Sequence, residues 1–156
     1  MIAEINKQAR LSEHFTLAEM CKTSAKTQDG NIPSHVHIEN LRRLCSWLEM
    51  LRSEWNRRYG EGDDPIVINS GYRSEAVNKA VGGVSGSNHL TGCAADIRVA
   101  GIEQLVRYAT ILLDISDESQ EDFDELLLER SPRGGYWLHF AVRPSGNRRK
   151  VRLIQT

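Results

Sequence analysis

The stretch Ser87-Asn-His-Leu-Thr-Gly-Cys-Ala-Ala-Asp96 places a histidine and an aspartate seven residues apart, between a loop of small residues and an apolar segment. The small residues before and after His89 allow its backbone to approach a ligand closely. Asp96 lies within a strand that we expect over 93–99. An unpaired carboxylate is costly to bury in such a strand. A bound cation would remove that cost, and so would an arginine.

A second histidine, His139, lies in Trp137-Leu-His-Phe-Ala-Val142, which also predicts a strand. Strand alternation places Trp137 and His139 on the face opposite the apolar side chains. A single histidine there is typical of a satisfied core residue. Two histidines and one aspartate, however, are typical of catalytic zinc, which keeps a fourth position for water. No fourth protein ligand is evident, because Cys93 has the wrong strand parity to join Asp96.

The remaining segments predict a helical N-terminal half followed by a mainly antiparallel sheet, which is an α+β fold. Capping residues and apolar periodicity predict helices that begin at Thr16, at Pro33-Ser34 with a stop near Gly60, at Ser74, and at Ile102 with an end near Ile115. Strands are predicted over 65–69, 93–99, 123–130 and 136–142, with a hairpin loop at 131–135. No repeat or composition break divides the chain, so we expect a single domain over 1–156.

Composition excludes several classes of protein. Lys and Arg total 20 against 21 Asp and Glu, which argues against a general nucleic-acid binder. The 3 cysteines have no C-x-x-C spacing, so we expect buried thiols in a reducing compartment and no disulfide framework. No apolar run suits a signal peptide or a membrane span. We therefore expect a monomer that is synthesised as a soluble cytoplasmic protein.

Charge is distributed unevenly towards the C-terminus. Eight acidic residues lie between Asp114 and Glu129, whereas no acid and seven Arg or Lys residues follow Glu129. One interpretation is a solvated tail. The other is a basic rim that attracts an anionic polymer or a carboxylate of the substrate.

The stretch 87–96 fits the S-x-H-x-x-G-x-A-x-D pattern of the zinc D-Ala-D-Ala peptidases, the M15 peptidase family. Ser70-Gly-Tyr-Arg73 resembles the SGYR turn of that family, and Trp137-Leu-His139 resembles its second metal strand. His14-Phe-Thr-Leu-Ala-Glu19 and Gly146-Asn-Arg-Arg149 are similar to features of its compact single-domain branch. The resemblance thus extends over nearly the whole chain.

This resemblance implies a Hedgehog/DD-peptidase-like fold, in which N-terminal helices pack on a small, mainly antiparallel sheet. It implies one zinc ion bound by His89, Asp96 and His139. It also implies a metallo-DD-carboxypeptidase or related endopeptidase that hydrolyses peptide bonds of peptidoglycan stem peptides. Composition and periodicity alone do not indicate that substrate.

The resemblance is incomplete at the general base. Relatives often carry Glu or Asp three residues before the second metal histidine, where this chain has Tyr136. The best substitute is Glu129, at the end of Phe123-Asp-Glu-Leu-Leu-Leu-Glu129. That segment resembles the FDQLIxE-type strand of the same branch.

Strand register decides whether Glu129 can act on the same site. If the hairpin pairs Glu129 with Trp137, parity places Glu129 on the face of His139. Glu125 shares that parity but lies further from the end of the hairpin. The alternative for Glu129 is an ion pair with Arg130 or a neighbouring arginine.

Three further residues are candidates for substrate contacts. The forked donors of Arg73 suit a substrate carboxylate or a developing oxyanion; the alternative is a surface residue that caps the Ser70 turn. Ser87 either holds its loop or contacts substrate. Trp137 either forms a wall of the pocket or packs beside the sheet.

Three functions remain open at this point. The first is a zinc peptidase, and the second is a catalytically inactive, zinc-containing cell-wall-binding module, which the missing acid at Tyr136 motivates. The third is a phage structural component. The implied substrate lies in the cell wall or periplasm, away from the expected compartment of synthesis. A phage or prophage lysin released by a holin, an unconventional export route or a truncated sequence would each reconcile the two.

Overall fold

The structure is a computed structural model that describes residues 6–156. Its helices are α1 Leu17–Met20, α2 His35–Arg58, α3 Glu75–Ala80 and α4 Ile102–Ser119, with a 3₁₀ helix at Asn88–Thr91. Its strands are β1 Ile68–Ser70, β2 Ala94–Arg98, β3 Glu125–Arg130, β4 Tyr136–Ala141 and β5 Lys150–Gln155. This order confirms the predicted α+β class. The single domain predicted over 1–156 stays a prediction, and its first five residues lie outside the described residues.

The long helix α2 forms the centre of the helical layer. Ser34 caps it, since the Ser34 hydroxyl accepts a hydrogen bond from the backbone N–H of His37, as the Pro33-Ser34 start predicts. Its apolar face is fully buried in the core, as at Leu44 and Leu48. Trp47 is buried as well, against Phe140 and Phe123. The helix ends at Arg58, just before the predicted stop at Gly60.

The five strands form one sheet in the order β1-β2-β4-β3-β5, antiparallel except for the parallel pair β3 and β5. One face carries Ile97, Leu126, Leu138 and Phe140 into the hydrophobic core, beneath α2 and α4. The other face carries the polar side chains of β2, β3 and β4. The sheet therefore presents one face free of helices α2 and α4.

Part of the basic C-terminal segment, Lys150–Gln155, is a strand at the edge of the sheet, and most of its side chains are exposed. The segment is therefore solvated, as one interpretation holds, but it is paired with β3 and is not a free tail. Backbone N–H groups of Arg149 and Lys150 donate to the carbonyls of Phe123 and Asp124, and β5 continues this pairing along β3. Arg148 donates from Nε and Nη2 to the Asp124 carboxylate at 3.0 and 2.8 Å. These contacts join residues more than twenty positions apart, which local charge patterning does not reveal.

Other boundaries differ from the predictions by a few residues. α4 continues to Ser119, past the expected end near Ile115, and ends where Gln120 adopts a left-handed backbone (φ 58°). β1 covers 68–70 rather than 65–69. The three cysteines are buried and free, as expected. Among the described residues, no helix combines the length and the apolar character needed to cross a membrane.

Candidate metal centre

Three side chains with metal-binding atoms meet on the open face of the sheet. One donor atom each of His89, Asp96 and His139 lies within 4.8 Å of the others. Asp96 and His139 stand directly opposite each other in the register of β2 and β4, and His89 comes from the 3₁₀ helix before β2. His89 Nε2 lies 3.3 Å from Asp96 Oδ2, and His139 Nδ1 lies 3.0 Å from Asp96 Oδ1. The structure thus brings together all three predicted ligands.

The 3₁₀ helix is shaped to present His89. At its start, the Ser87 hydroxyl accepts a hydrogen bond from the His89 backbone N–H at 3.1 Å. At its end, Gly92 has a φ of 76°, in the left-handed region that favours glycine. A Cβ at Gly92 would also lie 2.6 Å from the carbonyl oxygen of His37. The serine and glycine of the motif therefore have structural reasons to stand beside the histidine.

The second ring nitrogen of each histidine has its own acceptor. His89 Nδ1 lies 2.7 Å from the carbonyl oxygen of Gly71, and His139 Nε2 lies 3.0 Å from Oε1 of Glu125. A carbonyl oxygen only accepts, so Nδ1 of His89 donates to Gly71, and Nε2 is the nitrogen that faces Asp96 and remains for a metal ion. Glu125 in the same way favours the proton of His139 on Nε2. Metal-binding histidines commonly donate their other N–H to a carbonyl or carboxylate.

The charges of the cluster indicate a place for a cation. Burial acts to raise the pKa of Asp96, but hydrogen bonds with His139 and His89 hold it well below its usual range. Burial acts to lower the pKa of His139, but hydrogen bonds with Asp96 and Glu125 raise it to about 9. Protonated His139 thus supplies the positive charge beside Asp96, and a metal ion between the same atoms would supply it instead.

The donor set fits zinc. Zinc accepts two imidazole nitrogens and a carboxylate oxygen at about 2.0–2.2 Å, in a small tetrahedral set. Within residues 6–156, His89, Asp96 and His139 are the one group of three or more His, Cys, Asp and Glu side chains arranged in this way. The geometry leaves a fourth position without a protein ligand, as catalytic sites do.

Comparison with known proteins agrees with this geometry. A family model described as Peptidase M15 matches residues 13–115, which is more than half of the chain. The chain belongs to the M15 peptidase family. M15 enzymes are zinc-dependent peptidases. The matched range includes His89 and Asp96 and ends before His139.

A curated relative supports the same family. The chain is 32% identical over 84 residues to the zinc D-Ala-D-Ala carboxypeptidase of Streptomyces albus G. The alignment covers 54% of this chain and 31% of that enzyme. The chain therefore spans about a third of the length of the curated relative that it matches.

Arg73 of this M15 chain lies directly beside the candidate metal ligands. Its Nη2 donates to Asp96 Oδ2 at 3.2 Å, and its Nε donates to the Ser70 hydroxyl at 3.1 Å. A third contact joins Nη1 to Asn78 Oδ1 at 3.4 Å. Arg73 thus caps the Ser70 turn and partly compensates Asp96. Two of its five N–H groups remain for another partner.

Ser87 and Trp137 have different structural surroundings. The Ser87 hydroxyl supports the loop through the His89 N–H. Trp137 is half-buried on the metal face, and its cross-strand partners are Arg98 in β2 and Glu129 in β3. Roles of Ser87 and Trp137 towards substrate stay predictions.

Glu129 pairs with Trp137 in the register of the hairpin, which confirms the condition set by the sequence. It therefore shares the face of His139. Among the salt bridges of residues 6–156, none involves Glu129, so its ion-pair alternative is not found there. Burial raises the pKa of Glu129, more than the neighbouring His139 lowers it.

Glu125 lies at the candidate metal centre, in contact with His139, although it is further from the end of the hairpin than Glu129. Leu127 pairs with His139, so Glu125 and Glu129 flank His139 on the same face. Glu125 also accepts a hydrogen bond from Asn88 Nδ2 at 2.6 Å, and the same Asn88 nitrogen donates to the buried Asp124 at 2.8 Å. Strand parity was the signal for Glu125, whereas nothing in the sequence marked Asn88 or Asp124.

Proposed function

We propose that this M15 chain is a zinc metallopeptidase that hydrolyses peptide bonds of peptidoglycan stem peptides. The specific activity is that of a D-Ala-D-Ala carboxypeptidase or a related endopeptidase. The observation that carries the proposal is the convergence of His89 Nε2, the Asp96 carboxylate and His139 Nδ1 on the open face of the sheet. The similarity to the Streptomyces albus G enzyme supports the class of substrate.

In this proposal His89, Asp96 and His139 hold one zinc ion. When bound, zinc makes water a nucleophile near neutral pH and polarises the scissile carbonyl. The Gly71 carbonyl and Glu125 keep the two imidazole rings oriented, since each accepts the N–H on the side away from Asp96.

Glu129 is the proposed general base. It lies on the face of His139, is half-buried and has no salt-bridge partner among the described residues. A carboxylate without a competing cation can take a proton from the attacking water and pass it to the leaving amine. Its raised pKa strengthens it as a proton acceptor.

Arg73, Ser87 and Trp137 complete the proposed substrate site. The two unused N–H groups of Arg73 bind a substrate carboxylate or the negative charge that develops on the carbonyl oxygen. Trp137 provides an apolar wall beside Glu129, and Ser87 borders the site at the start of the 3₁₀ helix. We propose that the chain acts as a monomer.

The proposed substrate puts the site of action at the cell wall or periplasm. A phage or prophage lysin would act there, because such an enzyme reaches the cell wall after it is released from the cytoplasm. The charge balance of the chain remains unfavourable for a nucleic-acid partner.

A second candidate is a zinc-containing cell-wall-binding or phage structural module without catalysis. Tyr136 favours it, because it stands three residues before His139, where relatives often carry the acidic base. Sedimentation with purified peptidoglycan, without release of amines, would separate this candidate from the peptidase.

The experiment combines metal content with peptide cleavage. Purified wild-type protein, H89A and H139A are loaded with zinc, and an H35A variant serves as control because His35 is an exposed histidine at the start of α2. Zinc is measured by plasma mass spectrometry, and cleavage of a D-Ala-D-Ala-terminated pentapeptide and of muropeptides by liquid chromatography.

Wild type and H35A should bind zinc at one equivalent and release peptide fragments. H89A and H139A should lose both properties and keep their circular dichroism spectra. Cleavage by metal-free H89A would contradict the peptidase mechanism. A zinc-loaded wild type that cleaves neither substrate but sediments with peptidoglycan would support the binding module.

A further inference from the structure

The basic residues after β4 divide into two groups. Arg143 and Arg148 pair with Asp124, and Arg149 pairs with Asp117. Lys150 and Arg152 form no salt bridge within residues 6–156; Arg152 Nη1 donates to the adjacent Val151 carbonyl. β5 therefore carries two cations that the described fold does not use.

Register places both cations on the face of the candidate metal centre. Asp96 pairs with His139, His139 with Leu127, and Leu127 with Arg152, so these four residues form one row across four strands. Residues paired across neighbouring strands point to the same face of a sheet. Lys150 lies on the same face in an adjacent row, opposite Glu125.

The distance between His139 and Arg152 along this row sets the length of a peptide that can contact both residues. Neighbouring strands lie about 4.8 Å apart, so the backbone of Arg152 is about 10 Å from that of His139. An extended peptide covers that distance with about three residues. Between them lies Leu127, an apolar side chain that is only 8% exposed, so a peptide would pass over it from the metal centre to Arg152.

The charges of the face indicate the sign of the ligand. Asp96, Glu125 and Glu129 lie around His139, so this part of the face carries several negative charges. Lys150, half-buried, and Arg152, exposed, provide the opposite sign at the β5 edge. A guanidinium and an ammonium side by side bind a carboxylate by charge-assisted hydrogen bonds.

We propose that Lys150 and Arg152 form a carboxylate subsite for an acidic peptide substrate, about three residues from the scissile bond. The subsite rests on the proposed function, because it takes the metal centre as the place of cleavage. It also assigns a role to the basic rim inferred from the sequence. This geometry favours a peptide over an anionic polymer, because the cations lie at a fixed distance from the place of cleavage.

The test uses two synthetic peptides that end in D-Ala-D-Ala and differ at one residue. This residue lies three positions from the scissile bond and is Glu in one peptide and Gln in the other. Cleavage kinetics and fluorescence-anisotropy binding are measured for wild type and K150Q/R152Q. A K22Q/K26Q variant removes the same charge from two exposed lysines between α1 and α2. Polyphosphate binding serves as the probe for an anionic polymer.

Wild type and K22Q/K26Q should bind and cleave the Glu peptide about three- to tenfold better than the Gln peptide, mainly through KM. K150Q/R152Q should lose this preference and keep wild-type kinetics with the Gln peptide. Equal binding of the two peptides by wild type, or a preference that survives in K150Q/R152Q, overturns the subsite.

Two further outcomes separate the subsite from the function. If wild type cleaves neither peptide but binds the Glu peptide better, and K150Q/R152Q does not, the subsite stands and the peptidase proposal fails. If wild type does not distinguish the peptides, and K150Q/R152Q loses only polyphosphate binding, the cations serve a polymer and the acidic-peptide assignment is wrong.

Discussion

His139 Nε2 lies 3.0 Å from Oε1 of Glu125, on the side of the ring that faces away from Asp96. Both atoms come from the hairpin of β3 and β4. This contact leaves Nδ1 of His139 free for a metal ion, because the N–H of Nε2 donates its hydrogen bond to the Glu125 carboxylate.

Glu125 should therefore tune metal affinity. We expect E125A to weaken zinc binding about 10- to 100-fold, because the ring loses its orienting acceptor. E125Q should recover most of the affinity, since the amide oxygen also accepts from Nε2. Competition with a chromophoric chelator measures the zinc Kd, and the absorption spectrum of the cobalt-substituted protein reports the ligand geometry.

The control for Glu125 is E103A, which removes an exposed glutamate of α4 that pairs with Arg107. E103A should bind zinc like wild type. A zinc Kd for E125A within twofold of wild type, at unchanged thermal stability, would show that the contact does not orient His139.

Glu129 should affect the reaction and not the metal. We expect E129Q to lower kcat by about 10²- to 10⁴-fold, the usual contribution of a general base. Zinc content should stay at the wild-type level, because Glu129 is not among the converging donors. Steady-state kinetics on the D-Ala-D-Ala pentapeptide, beside plasma mass spectrometry, checks both points. If E129Q keeps kcat within a factor of three, another group takes the proton.

Asp124 should stabilise the fold against acid. It is fully buried; burial acts to raise its pKa, but hydrogen bonds from Arg148 and Asn88 lower the pKa to about 2. The unfolded carboxyl titrates near 3.9. Its stabilisation is therefore complete above pH 4 and disappears as the pH falls from about 4 to 2, a change of about 2 kcal/mol in the free energy of unfolding.

D124N provides the comparison. Urea unfolding at pH 7 should show a loss of about 2 kcal/mol or more for D124N, because Arg143 and Arg148 lose the charge of their buried partner. The difference between wild type and D124N should shrink as the pH approaches 2. Parallel stability curves over pH 2–4 would mean that Asp124 does not titrate in this way.

The three cysteines should be unreactive in the folded protein. Burial raises the pKa of Cys45 to about 12 and that of Cys21 to about 11, and it also raises the pKa of Cys93. Since the thiolate is the reactive form, all three should react slowly with Ellman's reagent at pH 8. Three equivalents should react rapidly in guanidinium chloride. A rapid reaction of one thiol in the native protein would identify a cysteine that is more accessible than the structure shows.

The local sequence determined the parts of this site that depend on short-range rules. Ser34 starts α2 because a serine oxygen can cap the first free N–H groups of a helix. Likewise, alternation with a period of two was enough to place His139 and Glu129 on one face, once the hairpin loop set their register. The motif around His89 and Asp96 was visible for the same reason, because its residues are close in sequence.

Tertiary structure alone decided which of the two glutamates touches His139. Glu125 and Glu129 have the same parity, so alternation could not distinguish them. The oxygen of Glu125 that contacts His139 also accepts a hydrogen bond from Asn88, which comes from the 3₁₀ helix, far away in sequence.

Tertiary structure also decided the role of the basic segment. Arg143 and Arg148 have no acid near them in sequence, and their partner Asp124 lies about twenty residues earlier. The pairing of β5 with β3 and the compensation of a buried carboxylate are long-range interactions, which local charge and periodicity do not specify. The sequence thus determined the candidate metal ligands and the face of the sheet on which they lie. The packing of the chain determined which charged side chains near them form no ion pair.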